Sequence, residues 1–507
     1  MNKSILAVIV VAMVIVAAVG AFVLLSDEES DETANYTGIS TADELLAMEV
    51  NGEYKLLNDI EMSGVTWDVK DFSGKFDGKG FAITDLTLAG AADQGLFKEM
   101  SGKVNNLILK DVSIQGNAAG AIAIKNTGTI TNCKVTGEIV GAGKVGGLVS
   151  SNEGMISSCT NEAEVTGSGE EIGGIVGNSA VSVSDCKNFG DVTGLAVVGG
   201  IAGTSKGVAN CQNEGDVEST CVMNAFAYAG GVVGTSNGDV VGCMNKGDVT
   251  SKTNNIRRVG GIAGAVLSDA DVKDNTNFGN VSGGNSVGGI VGLFGHKTEN
   301  AENVISGNIN EGNVSGLNFV GGIIGCIEFT TDVNAKVTVS NCNNRTDANI
   351  SSTTNHVGGI VGYMSAQATD TGTKAVIKDC VNDGALETTN TTSTAGGIVA
   401  TIYNISTDVL NCTNSRSITI GGSLGGIIGN YDTATGVVMT GTVSGCKNTG
   451  KLTATTVATL VGGIAGQTLR SATVTFADNS NNGELDGPSG FTSGQIVANP
   501  NGLTVIS

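Results

Sequence analysis

The stretch Gly146-Gly-Leu-Val-Ser-Ser-Asn152-Glu-Gly154-Met-Ile-Ser-Ser-Cys159-Thr-Asn161-Glu-Ala-Glu-Val165-Thr-Gly167 returns in variant form almost to the C-terminus. Such a repeat constrains the fold more than any other feature. A unit too small to bury its own core must stack on copies of itself. Two landmarks define the unit. The first is a glycine pair between apolar residues, starting at Gly146, Gly173, Gly199, Gly230, Gly260, Gly288, Gly321, Gly358, Gly396, Gly425 and Gly462. The second is Cys-x-Asn, whose asparagines are Asn161, Asn188, Asn213, Asn245, Asn277, Asn310, Asn344, Asn382, Asn414, Asn448 and Asn481, with other residues at some of the cysteine positions. The spacing is irregular, roughly 26 to 38 residues, the range of solenoid repeats.

Each unit holds two or three short runs with apolar residues at alternate positions, as in Val198-Gly-Gly-Ile201-Ala-Gly203. That is a strand pattern, and no window sustains a helical period. Strands this short gain a core only when each pairs with its equivalent in the next copy. The expected fold is all-β, a parallel β-solenoid rising about 4.8 Å per coil. About twelve coils give a rod on the order of 60 Å. The glycine pairs are expected to permit positive φ or close backbone approach at turns. The asparagines are expected to stack as an amide ladder and to tolerate left-handed corners.

These residues resemble the GLUG-motif repeats of bacterial and archaeal surface proteins. The family pattern is a Gly-Leu-(Val/Ile)-Gly core, an Asn-x-Gly turn and an Asn-Cys strand, and Gly146 to Gly167 follows it. Ser150 stands where the last core glycine is usual; Gly177, Gly203 and Gly234 restore it in later copies, with Ile or Val in place of Leu. The resemblance implies a right-handed β-helix, secreted or surface-displayed, in proteins described as adhesin-like. It speaks to fold more than to function, because such repeats serve as scaffold for different activities.

Composition fits a narrow solenoid. Of 507 residues, 77 are glycine, 2 are proline and 4% are aromatic, too few large side chains to fill a wide globular core. The net charge of −22 disfavours nucleic acid as a partner, since phosphates demand Lys and Arg. Nine of the eleven cysteines (Cys133, Cys159, Cys186, Cys211, Cys243, Cys342, Cys380, Cys412 and Cys446) share one repeat position; Cys221 and Cys326 do not. No Cys-x-x-Cys pair is present, so zinc-ribbon spacing is absent. The cysteines are expected to be small buried hydrophobes, with parallel Cβ directions unsuited to disulfides.

The chain divides as follows. Residues 1–25 form a hydrophobic segment whose only charge is Lys3, long enough to span a bilayer, and read as a membrane anchor or a signal peptide. Either reading exports the rest, and the acidic linker 26–39 is expected on the outer side. Residues 40–110 are read as an N-terminal cap and first coils. Thr41-Ala-Asp-Glu44 is a capping box opening a short helix, and Trp67 is expected in the cap core. Residues 111–490 hold the repeats, and 491–507 a C-terminal cap. Longer inserts before Gly230 and between Gly321 and Gly425 are expected to project as loops on one edge. Sequons occur at Asn35, Asn280, Asn313, Asn344, Asn349, Asn390, Asn404 and Asn411, making glycosylation of an exported chain plausible.

Catalytic motifs are absent. The histidines are His296 and His356, neither in a His-Glu-x-x-His pair, and no Gly-x-Ser-x-Gly elbow occurs. The arginines (Arg257, Arg258, Arg345, Arg416 and Arg470) are scattered along the sequence. Asp191, Asp216 and Asp248 share a repeat position and read as a solvated stripe with weak calcium affinity at most; no cofactor or metal is expected. No catalytic, cofactor-binding or metal residue is assigned. The expected function is a non-catalytic cell-surface or secreted adhesin-like rod that presents loops to cells or glycans. The alternatives are a carbohydrate-active β-helix enzyme (lyase or hydrolase) and a structural envelope component.

Overall fold

Short alternating runs bounded by Gly, Asn and Asp do form a stacked coil. The computed structural model describes residues 36–505, apart from 222–226, 253–256, 297, 331–333, 346–347, 368–371, 389, 391, 435–436, 438, 458, 469–471 and 500–503. The chain divides into a unit of Met1–Thr37 and a unit of Gly38–Ser507, and the coils belong to the second. The hydrophobic segment 1–25 and most of the acidic linker lie outside the described residues. Among the described residues, no helix is long and apolar enough to cross a membrane.

One coil sets the plan. Val145–Gly146 lies on face 1, Val149–Asn152 on face 2 and Met155–Ser157 on face 3, while Thr160–Asn161 and Glu164–Gly167 share face 4. The chain then returns to face 1 at Glu171–Gly173, one coil up and in parallel register, Gly146 opposite Gly173. Face 1 stacks 13 strands from Ala119–Gly120 to Thr492–Gly494, and face 2 stacks 15 from Lys70–Phe72 to Val497–Asn499. Fifteen strands at the parallel spacing span about 67 Å. This is the expected all-β parallel solenoid. Its coils begin well inside the 40–110 region, where Glu53–Leu56 already pairs in parallel with Lys75–Asp77.

One continuous apolar core runs through the stack. Small branched side chains repeat in register, as with Val198, Ala229, Val259 and Val287 on face 1. The first coils use larger groups, among them Phe72 and Phe97, whose rings stack 4.7 Å apart. The short helix Ala42–Leu46 has the expected capping box. The Lys70 ammonium donates to the carbonyls of Leu46 (3.0 Å) and Met48 (2.9 Å), occupying acceptors the helix end leaves free. Trp67 is buried in this cap, its Nε1 donating to the Leu96 carbonyl at 2.8 Å.

The two sequence landmarks meet inside each coil. From Asn161 to Asn481 the side-chain amides form an unbroken ladder, each Nδ2 donating to the next Oδ1 at 2.8–2.9 Å. The second glycine of each pair packs against that ladder. A Cβ on Gly261 would lie 2.1 Å from the Gly289 carbonyl oxygen and 2.3 Å from Asn277 Cγ. None of these paired glycines has positive φ, so close approach is the reason for them.

The left-handed corner falls elsewhere. It lies one residue before the cysteine position, at Asn132, Ser158, Asp185, Asn210, Gly242, Asp274, Gly307, Asn341, Asp379, Asn411, Gly445 and Asp478. Asn, Asp and Gly tolerate that conformation best. All eleven cysteines are buried free thiols. In the cysteine column, Asn275 and Asn308 replace sulfur between Cys243 and Cys342 and bond to one another at 3.0 Å.

The longer inserts do not sit on one edge. Between Gly321 and Gly425 they lengthen the strands where face 2 meets face 3, as in Ile324–Phe329 and Lys336–Ser340. Alternation such as Lys336-Val-Thr-Val-Ser340 lets these segments pair with the next coil, so they continue the sheets before turning. The insert before Gly230 falls instead between faces 4 and 1.

Candidate functional site

Large apolar side chains such as Met155, Phe189 and Phe278 are exposed at separate positions along the solenoid. Exposed ion pairs link neighbouring coils, such as Lys246–Glu214 (2.8 Å) and Arg345–Glu311 (3.0 Å), and contribute little individually. The aspartate stripe is built into the backbone network. Asp191 Oδ1 accepts the Asp216 N–H at 2.9 Å, Asp216 Oδ1 the Asp248 N–H at 2.8 Å, and Asp248 Oδ1 the Asn280 N–H at 2.8 Å. Among the described residues, no group of three or more His, Cys, Asp or Glu side chains is placed to hold a metal ion.

The corner between faces 1 and 2 differs. Face 1 points outward at Tyr228, Arg258, Ser286, Phe319, His356 and Thr394, which follow one another in register. Face 2 does so at Ala265, Leu293, Cys326, Tyr363 and Thr401. A third glycine in most coils lets the two columns converge, with Ser150 and Ala400 at that position in two others. A Cβ on Gly325 would lie 2.6 Å from the Val287 nitrogen, and one on Gly362 2.7 Å from that of Val320. The result is a second apolar cluster outside the core, with Ala265, Leu293 and Cys326 beneath Tyr228, Leu267, Phe319 and Tyr363.

Three rings form its centre. Phe319 stacks on Tyr363 at 4.5 Å and on His356 at 5.4 Å, and His356 lies 5.3 Å from Tyr363 at a tilt of 41°. Thr401 Oγ1 hydrogen-bonds His356 Nδ1 at 2.9 Å. Burial pushes the His356 pKa down to about 4, so the imidazole is neutral at pH 7. Burial also pushes the Tyr363 phenol up. The Cys326 thiol is raised by burial and by the nearby Glu328 carboxylate, against the Arg258 guanidinium, so it is not a thiolate nucleophile. The surface therefore offers flat apolar ring faces bordered by neutral hydroxyl and imidazole donors, with one cation and one carboxylate.

Several residues singled out in the sequence gather here: Arg258, His356 and Cys326 come from three different coils. Others do not. Arg345 pairs with Glu311, and Arg416 Nε donates to the Asp383 carbonyl at 2.9 Å. The Arg257, Arg470 and His296 side chains lie outside the described residues. Sequence reading missed Tyr228, Phe319 and Tyr363. The signal lay in repeat alignment: Tyr228, Arg258, Phe319 and His356 all stand two residues before the first glycine of a pair.

No family model matches the chain. No curated protein matches it in sequence. Among solved structures it is similar to a Bacteroides ovatus protein proposed as an immunoglobulin A1 protease. The identity is 15% and the TM-score 0.23, over 81% of this chain and 84% of that one. A score that low carries nothing about function.

Proposed function

We propose that this chain is an exported, non-catalytic adhesin-like rod that binds glycans of other cells through the aromatic corner between faces 1 and 2. The observation carrying this reading is the outward cluster of Phe319, His356 and Tyr363 on a rigid sheet. Sugar rings present apolar C–H faces that lie against aromatic faces, and their hydroxyls take hydrogen bonds at the rim. Thr394 and Arg258, both partly exposed, supply such rim groups. Partly exposed aromatics with a few polar neighbours are what a binding surface needs. The net charge of −22 keeps neighbouring chains apart.

The test is a glycan-array and cell-binding screen with the full chain, run with calcium and with chelator. Specific binding that falls at least tenfold in Phe319→Ala and Tyr363→Ala, with unchanged melting, supports the reading. Binding that survives both substitutions removes this corner as the site. Shortening of a sugar polymer in the same wells would replace the adhesin with a carbohydrate-active enzyme.

A further inference from the structure

Sequons that are scattered in sequence become ordered in space. Asn280, Asn313 and Asn349 occupy the same position of face 4 in three consecutive coils, since Val281 pairs with Val314 and Val314 with Ile350. All three are exposed. Their sequon hydroxyls, Ser282, Ser315 and Ser351, lie two residues on, hence on the same side of each strand. Asn344 and Asn404, by contrast, are buried, Asn344 within the interior amide ladder.

The amide geometry in this column leaves one bond free. Asn280 Oδ1 accepts the Asn313 N–H at 3.3 Å and Asn313 Nδ2 at 3.0 Å. Asn313 Oδ1 accepts the Asn349 N–H at 2.9 Å. Asn280 Nδ2 donates to Asp248 Oδ1 at 3.1 Å. An amide nitrogen has two hydrogens. In Asn280 and Asn313 one holds the coil below, and the other is available without breaking the ladder. Asn349 has the small Ala385 as its register partner in the next coil, and two residues along the strand, at Ser351, a depression of about 390 Å³ begins. Ser351, Ser352, Thr353, Glu387, Thr388 and Thr419 line it. The exposed lining is more carbon than oxygen, with hydroxyls and the Glu387 carboxylate among it, a mixed surface that can meet both the C–H face and the hydroxyls of a sugar ring.

We propose that Asn280, Asn313 and Asn349 form an N-glycan attachment column, with the linking sugar of Asn349, a hexose or N-acetylhexosamine, seated in the adjoining hydroxyl-lined depression. In the transfer, Nδ2 attacks C1 of a lipid-diphosphate-linked oligosaccharide supplied by the exporting cell. The C1–O bond to the diphosphate breaks, the N–C1 bond forms, and the nitrogen loses one proton as the lipid diphosphate leaves. Neighbouring positions are about 4.8 Å apart, so adjacent sites crowd each other and the column carries one or two glycans at once.

The test uses the full chain secreted from cells that glycosylate Asn-x-Ser/Thr, read by intact mass and peptide mapping before and after amide-cleaving glycosidase. The expected result is added mass on the column peptides, highest at Asn349, and none at Asn344 or Asn404. Asn349→Gln and Ser351→Ala should each reduce the added mass. Column peptides at bare mass, with or without glycan on exposed Asn411, overturn the proposal. So does occupancy confined to Asn344 or Asn404. Free N-acetylglucosamine and glucose titrated into unmodified protein separate the two sources of sugar. Binding at the depression together with bare column peptides makes it a lectin site and overturns attachment. The mass readout is independent of the aromatic corner, so this inference fails separately from the proposed function.

Discussion

Asn277→Ala tests what holds the solenoid in register. The side chain is fully buried. Its Nδ2 donates to Asn310 Oδ1 at 2.9 Å and to the Gly279 carbonyl at 2.8 Å, and its Oδ1 accepts from Asn245 Nδ2 at 2.9 Å. Alanine removes all three and orphans an amide oxygen, a carbonyl and an N–H. Each orphan costs about 1–3 kcal/mol when buried, and a water in the vacated space recovers part of it. The expected net loss is about 4 kcal/mol. At the end of the ladder Asn481 is only half-buried, so solvent replaces its partners and Asn481→Ala should cost about 1 kcal/mol. Coils contact only their neighbours, so the damage stays local. Amide hydrogen exchange should show protection falling roughly a thousandfold in the coils around Asn277, since about 1.4 kcal/mol is tenfold, while the capped first coils stay protected. Equal losses for the two variants, or less than about 1 kcal/mol for Asn277→Ala, would mean that the asparagines act only as turn residues and that the ladder is incidental.

Three other outcomes follow from the same geometry. Gly261→Ala should cost more than about 3 kcal/mol or prevent folding, because the new carbon meets backbone at 2.1 Å; Gly64→Ala, at φ +73° with open space around it, should cost about 1–2 kcal/mol, both read by thermal melting. The His356 pKa, held at about 4 by burial against about 6.5 unfolded, means the unfolded chain binds the extra proton between those values. Stability should therefore be complete above pH 6.5 and fall as pH drops toward 4, by about 3 kcal/mol, and urea midpoints of His356→Gln should lack that slope. Cys342→Asn should be nearly neutral, because Asn308 Nδ2, now 3.9 Å from the Cys342 sulfur, gains an amide acceptor. Cys186→Asn, flanked by thiols on both sides, adds a poorly matched buried amide and should lower the unfolding free energy from urea titration by about 1–2 kcal/mol.

The solenoid was legible because its two landmarks tolerate almost no variation. A glycine that cannot carry a Cβ and an asparagine bonded on both sides recur in nearly every copy, so the unit and the ladder stand out. The left-handed corner was not legible, because Asn, Asp, Gly and Ser all serve there and the eye finds no single residue. The inserts were read as loops since their length varies, yet Lys336–Ser340 and Lys374–Lys378 alternate and pair as strands. The aromatic corner was hidden for a different reason. Phe319, His356 and Tyr363 stand at positions free to vary, separated by up to 44 residues. Only the coil register and the third glycine bring them within ring-stacking distance.

The amide ladder also has a direction. Every Nδ2 points toward the C-terminal coil and every Oδ1 toward the N-terminal one. The turn backbone fixes this, because the carbonyl two residues on accepts a second N–H from the same nitrogen, as Gly247 does for Asn245 and Gly279 for Asn277. The side-chain dipoles of eleven asparagines therefore align head to tail along the stack, and the last donor is received by Gln495 Oε1 at 2.9 Å. Reversing one amide would set two acceptors face to face above it and two donors below, a domain wall in a one-dimensional polar chain. A coil can join only in the polarity of the coil before it. The row of amides thus acts as a template read in one sense, carrying orientation from coil to coil as the stack grows.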